Sequence, residues 1–159
     1  MDIFDEEILK FWAALQSCQV RYIMVGGYAT NLHGFSRYTG DLDIWIEDTL
    51  ENRKRLRQAF IECGMGDLHM LETIPFVPGW IDFNLLNGLR LDILVNMKGL
   101  EGYTFEECLN MASIADIEGV KVSFLHINQL IANKKAVNRP KDQLDVMELE
   151  RIQKLLDRS

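Results

Sequence analysis

Asp41 and Asp43 stand one residue apart at the head of Leu42-Asp-Ile-Trp-Ile46, a run otherwise apolar enough for a strand of a buried sheet. Side chains alternate along a strand, so both carboxylates point to one face while Leu42 and Ile44 point into a core on the other. Like charges this close raise one another's pKa, which is costly unless a cation neutralises them. A hard ion with oxygen ligands suits that task, Mg²⁺ first and Mn²⁺ after it. Upstream, the apolar run Tyr22-Ile-Met-Val25 ends at Gly26-Gly27, and Tyr28 to His33 has the length of one or two helical turns before Gly34. Glycines at a strand-to-helix turn let backbone N–H groups approach phosphate oxygens, and the helix N-terminus favours anions. Gly26 and Gly27 are therefore candidate nucleotide-binding residues.

The remaining elements follow from periodicity. Ile3 to Leu15 carries apolar residues near a 3.6 period behind an acidic first turn, and Glu51 to Cys63 reads as a second helix closed by Gly64. Ile81 to Leu86 and Leu89 to Val95 are β-type runs separated by Asn87-Gly88, a strong hairpin signal. A short helix is expected around Phe105 to Leu109, then a smaller hairpin about Glu118-Gly119. Helices over His126 to Ala136 and Lys141 to Leu156 are separated at Arg139-Pro140. With 159 residues, 48% of them hydrophobic, the expectation is a single α/β domain over 1–159. It would hold a mixed, twisted sheet of four or five strands flanked by helices, with a helical C-terminal part over about 126–156.

A third carboxylate strengthens the site. Asp92 interrupts Leu91-Asp-Ile-Leu-Val95, and alternation turns it to the wet face with Arg90. We expect Asp92 to serve the site rather than to pair with Arg90, taking the two-residue spacing to hold them apart. Asp82 is the rival third carboxylate. Should the strands neighbour each other, Asp41, Asp43 and Asp92 are able to hold two metal ions about 4 Å apart, the machinery of phosphoryl-group displacement. Asp92 then acts as shared ligand or general base. Arg37, four residues before Asp41, suits either a phosphate or the neutralisation of the carboxylates. The run Arg53-Lys-Arg55 with Arg57 reads as a solvated helix face. His33, His69 and His126 show no metal spacing, and Trp12, Trp45 and Trp80 read as core.

These residues together resemble the nucleotidyltransferase (polymerase β-like) superfamily, in its small bacterial minimal-nucleotidyltransferase and AbiEii-like toxin branches. The likeness is carried by Val25-Gly-Gly-Tyr-Ala-Thr-Asn-Leu-His-Gly-Phe-Ser-Arg-Tyr-Thr-Gly-Asp-Leu-Asp-Ile44 and by Lys134-Lys-Ala-Val-Asn-Arg-Pro-Lys-Asp-Gln-Leu-Asp145. The resemblance implies that Gly26 and Gly27 contact nucleotide phosphates, that Asp41, Asp43 and Asp92 serve Mg²⁺, and that Lys134, Lys135, Arg139 and Lys141 line the far side of the cleft. The chain departs from many members in carrying Gly27 where they carry serine.

The expected function is transfer of a nucleoside monophosphate from an NTP, ATP foremost, to an acceptor hydroxyl on a protein, a tRNA or a small molecule. The resemblance adds a possible place in a toxin–antitoxin pair with a small helical partner. The alternative is a non-catalytic nucleotide-binding or interaction module of such a pair, supported by Gly27. A sugar-nucleotide glycosyltransferase fails on length and on the early Gly-Gly. The formal charge of -7 disfavours indiscriminate binding to nucleic acid or anionic membranes. No apolar run approaches the roughly 18 residues needed to span a bilayer. Three scattered cysteines suggest neither a disulfide framework nor a zinc site, which points to the cytoplasm.

Overall fold

In the computed structural model, residues 5–76, 79–85 and 88–158 are described. Ile3, Phe4, Leu86 and Asn87, used above to place a helix, a strand end and a turn, lie outside them. The first helix, α1 (Glu6–Ser17), begins where the Asp5 carboxylate caps the amide of Glu7, and buries Ile8, Phe11, Trp12 and Leu15. Strand β1 (Tyr22–Val25) runs directly into α2 (Gly26–His33), so the helix starts on the glycine pair itself. Then come β2 (Asp41–Ile46), α3 (Leu50–Glu62), a 3₁₀ turn over His69–Glu72, β3 (Trp80–Asn84) and β4 (Arg90–Leu94). The chain closes with α4 (Phe105–Met111), β5 (Ser113–Ile117), β6 (Val120–Phe124), α5 (Ile127–Val137) and α6 (Pro140–Asp157).

The strands form one mixed sheet in the order β3-β4-β2-β1-β6-β5, six strands rather than the four or five expected. The additional pairing is non-local: β6, hairpinned to β5, lies parallel to β1 through Met24 and Phe124. Register then decides which residues share a face. Leu42, Ile44, Leu91, Ile93, Tyr22 and Met24 point to one side, where Trp12 of α1 stacks on Tyr22 at 5.7 Å and Phe60 of α3 meets Phe83 edge-on at 5.4 Å. Asp41, Asp43 and Asp92 point to the other side, toward α2, which packs in turn on α5 and α6.

The basic run on α3 is a solvated face only in part: Lys54 is exposed, whereas Arg53 and Arg57 are engaged. Arg53 is buried, donates to Asp48 at 2.7 Å and to the Ile74 carbonyl, and lies 4.5 Å from the Phe76 ring centre. Arg57 reaches Asp67 and Glu72, and Arg55 pairs with Glu51. Arg53 and Arg57 tie α3 to the loop that follows it. Among the described residues, no helix is long and apolar enough to cross a membrane.

The C-terminal helices are fastened by buried ions. Asp145, fully buried on α6, accepts from Arg37 Nε at 2.7 Å, from Arg37 Nη2 at 2.6 Å and from Lys134 Nζ at 2.8 Å. Burial alone would raise this carboxyl, but hydrogen bonds from Arg37 and Lys134 hold it below its ordinary range. Asp142, one turn earlier, accepts from the Arg139 side chain at 2.6 Å and from its amide at 3.1 Å, and lies 3.6 Å from Lys134. Removing one member of a buried ion cluster leaves the others unpaired in low dielectric. Asp145→Ala is expected to destabilise the protein by about 3–5 kcal/mol in urea denaturation. A loss of about 1 kcal/mol or less would mean that water already serves these ions.

Candidate active site

Parallel pairing of β2 with β4 puts Asp43 beside Asp92 and Asp41 beside Arg90. Antiparallel pairing of β3 with β4 puts Asp82 on the far side of Asp92, so three carboxylates run in a row across three strands. The two candidates for third carboxylate differ in setting: the Asp82 side chain is 54% exposed and that of Asp92 15%. Arg90 Nε donates to Asp92 Oδ1 at 2.8 Å and lies 3.7 Å from Asp82. The expected separation of Arg90 from Asp92 is thus incorrect. Residues two apart on a strand share a face, and the long arginine side chain spans the gap. Its guanidinium also lies 5.5 Å from the ring centre of Trp80.

Asp43 is the strained member. Burial first, then the charge of Asp92, a hydrogen bond shared with it and the charge of Asp41 push its carboxyl up to about 7, with Lys134 pulling the other way. In the metal-free fold Asp43 therefore keeps its proton to higher pH than an exposed aspartate does. Among the described residues no three Asp, Glu, His or Cys side chains are grouped to enclose an ion by themselves.

The glycine turn lies against this pair. Gly26 has φ +72°, and a β-carbon there would collide with Asp43 Oδ2, so both its backbone conformation and the approach of the carboxylate require glycine. Gly27 is closed by Thr39 in the same way: a β-carbon would run into Thr39 Oγ1 and lie 2.7 Å from Thr39 Cβ. The first amides of α2 have no intrahelical acceptor and no side-chain cap.

These parts line one cleft of about 770 Å³, with Gly26, Gly27, Asp41, Asp43 and Asp92 along its floor. Arg37, Lys134, Arg139 and Lys141 line it as well. Lys135 does not: it turns outward to pair with Glu150 at 2.8 Å. A resemblance of segments does not fix which of two adjacent lysines faces inward, because successive helical residues lie about 100° apart. Arg37 and Lys134 are committed to Asp145, and Arg139 to Asp142. Among the described residues Lys141 and Lys98, both lining the cleft, form no ion pair. Lys98, Tyr38, Thr39, Asn96 and Trp80 also line it and were not singled out by sequence. Trp80 is 41% exposed rather than core, whereas Trp12 and Trp45 are buried. Alternation along β3 was the available signal, since Trp80 shares a face with Asp82. The histidines serve the scaffold: His33 donates to the Leu125 carbonyl at 2.7 Å and His126 caps α5.

A family model described as a nucleotidyl transferase of unknown function (DUF2204) matches residues 5–158. No curated protein matches the chain. Among solved structures the fold is similar to that of the lincosamide antibiotic adenylyltransferase LnuA with lincomycin bound. The TM-score is 0.63 at 17% identity, over 93% of this chain and 97% of that one. An antigenic nucleotidyltransferase-like protein from Paracoccidioides brasiliensis gives 0.54 at 16%, over 94% and 75% of the two chains. The antibiotic-resistance factor ANT(2'')-Ia gives 0.51 at 18%, over 92% and 80%. Since the family model takes in the glycine turn, all three aspartates and both C-terminal helices, the chain belongs to this family of nucleotidyl transferases and is an enzyme of nucleotidyl transfer.

Proposed function

We propose that the protein transfers a nucleoside monophosphate from an NTP, ATP foremost, to the hydroxyl of a small molecule, with Mg²⁺. The observation that carries this reading is the pairing of Asp43 with Asp92 beside an uncapped helix start, in a cleft that also holds cations. The donor set fits Mg²⁺. That ion is held by one or two carboxylates with substrate phosphates and water making up the rest, and Asp43 sits among carboxylates whose repulsion a cation would relieve. Asp41, Asp43 and Asp92 would hold it. When bound, it neutralises phosphate charge and lowers the pKa of the attacking hydroxyl.

The protein's own groups account for the rest. Amides at Gly26 and Gly27 and the cation Lys141 hold the polyphosphate. Asp92, kept in place by Arg90, receives the hydroxyl proton. The acceptor oxygen bonds to the α-phosphorus as the bond from that phosphorus to the α,β-bridging oxygen breaks, and pyrophosphate leaves. A small acceptor is supported by the size of the cleft and by the commitment of most nearby cations to buried acids, which leaves little surface for a nucleic-acid backbone. The lincosamide adenylyltransferase, of similar fold, was solved with a small molecule bound.

Incubation with Mg²⁺, each labelled NTP and a panel of hydroxylated small molecules, tRNA and proteins tests this. Label should pass to a small molecule, and Asp41→Asn and Asp43→Asn should each lower the rate at least about 100-fold. Transfer that survives both substitutions would sink the assigned site. NTP binding without transfer to anything would favour the non-catalytic module.

The raised Asp43 carboxyl gives a second test. In the unfolded chain it ionises near pH 4, in the metal-free fold near about 7. Between those values the folded state holds a proton that the unfolded state lacks, so this group's contribution to stability falls as pH rises through that window. In EDTA, the melting temperature of Asp43→Asn relative to wild type should therefore climb as pH rises from about 4 to about 7. It should then level off, and Mg²⁺ should narrow the gap by stabilising wild type. A difference flat across that range would contradict a raised Asp43 carboxyl.

A further inference from the structure

The segment before β2 continues the phase of that strand. Phe35, Arg37 and Thr39 are half-buried while Ser36, Tyr38 and Gly40 are exposed, which carries Arg37 and Thr39 to the side of Asp41 and Asp43. Thr39 thereby meets the start of α2. Its hydroxyl stands so close to where a β-carbon of Gly27 would be that the two would collide, with Arg37 Nη1 at 3.4 Å from that point. A threonine is stiff about χ1, so this is a fixed placement rather than one pose of a mobile side chain. The hydrogen bond that the hydroxyl donates to the Asp41 carbonyl is long, 3.3 Å, and rotation about Cβ–Oγ can re-aim its proton.

The cleft is short of uncommitted donors beside the glycines, because Arg37 and Lys134 are engaged by Asp145 and Arg139 by Asp142. We propose that Thr39 is a substrate-binding residue: its Oγ1 donates to the polyphosphate tail of the NTP, filling from the neighbouring segment the place that Gly27 leaves without a side chain. This rests on the nucleotide reading above. It also gives Gly27 a reason: glycine at that position is what lets the hydroxyl of Thr39 in.

Calorimetric titration with a non-hydrolysable ATP analogue and Mg²⁺ tests it, with melting curves to check the fold of each variant. Thr39→Val keeps the shape and removes the hydroxyl, and should weaken binding at least about tenfold. Thr39→Ser should bind like wild type. The loss should appear with ADP and be absent with AMP, whose single phosphate leaves no tail to contact. Gly27→Ser should bind poorly through collision with Thr39, and Gly27→Ser combined with Thr39→Gly should recover binding by delivering a hydroxyl from the other side. That pair decides the matter if Thr39→Val fails to fold. Wild-type affinity in Thr39→Val, an equal loss with AMP, or an exchanged pair as weak as Gly27→Ser alone would overturn the role of Thr39 and leave the nucleotide reading standing. A wild-type protein that binds none of the three nucleotides would overturn both.

Discussion

The parallel pairing of β2 with β4 sets Asp43 directly beside Asp92, and that juxtaposition is unfavourable by itself. Two carboxylates on neighbouring strands, one of them largely buried, repel unless they share a proton or a cation. The rest of the sheet supports the arrangement. Leu42, Ile44, Leu91 and Ile93 on the opposite face are completely buried under α1 and α3, so a slip of one residue would put four large apolar side chains in the cleft and the aspartates in the core. Hydrophobic register thus holds in place an electrostatic pair that would otherwise separate.

A second electrostatic unit complements the first. Asp142 and Asp145 are as buried as any core residue, yet each is surrounded by donors, and those donors come from three parts of the chain. Arg37 belongs to the segment before β2, Lys134 to α5 and Arg139 to the start of α6. The cluster therefore ties the C-terminal helices to the segment that enters the carboxylate strand. Its geometric effect exceeds whatever net stability it contributes, since buried ion pairs recover little beyond their desolvation cost.

Much of this was legible in the sequence because it depends on local period. Alternation put Asp41, Asp43 and Asp92 on one face, and the glycine pair marked the strand-to-helix turn. The hairpin of β3 with β4 was found in its expected pairing, although Asn87 itself is not among the described residues. What escaped were matters of tertiary neighbourhood. The parallel contact of β1 with β6 joins segments about a hundred residues apart in the numbering. Arg53 carries the same charge as its exposed neighbour Lys54, and the loop over Phe76 covers it. Trp80 read as core, yet edge-strand placement left it in the cleft. The pairing of Arg90 with Asp92 was missed through the strand geometry itself, since residues two apart share a face.

The excess of acid over base, a formal charge of -7, sits awkwardly with a highly charged anionic substrate until the placement of charges is considered. Coulomb interactions between exposed groups fade over about 10 Å in salt, so a distant surface carboxylate matters little to a phosphate held in the cleft. What matters is the first few ångströms, where Arg37, Lys134 and Arg139 are oriented by buried acids and the donors on the glycine side are neutral amides and a hydroxyl. Such donors hold phosphate oxygens without adding positive charge next to Asp41 and Asp43. A site built largely from cations would neutralise the carboxylates directly and compete with a divalent ion for them. Neutral donors on the glycine side leave the carboxylates free to attract a metal.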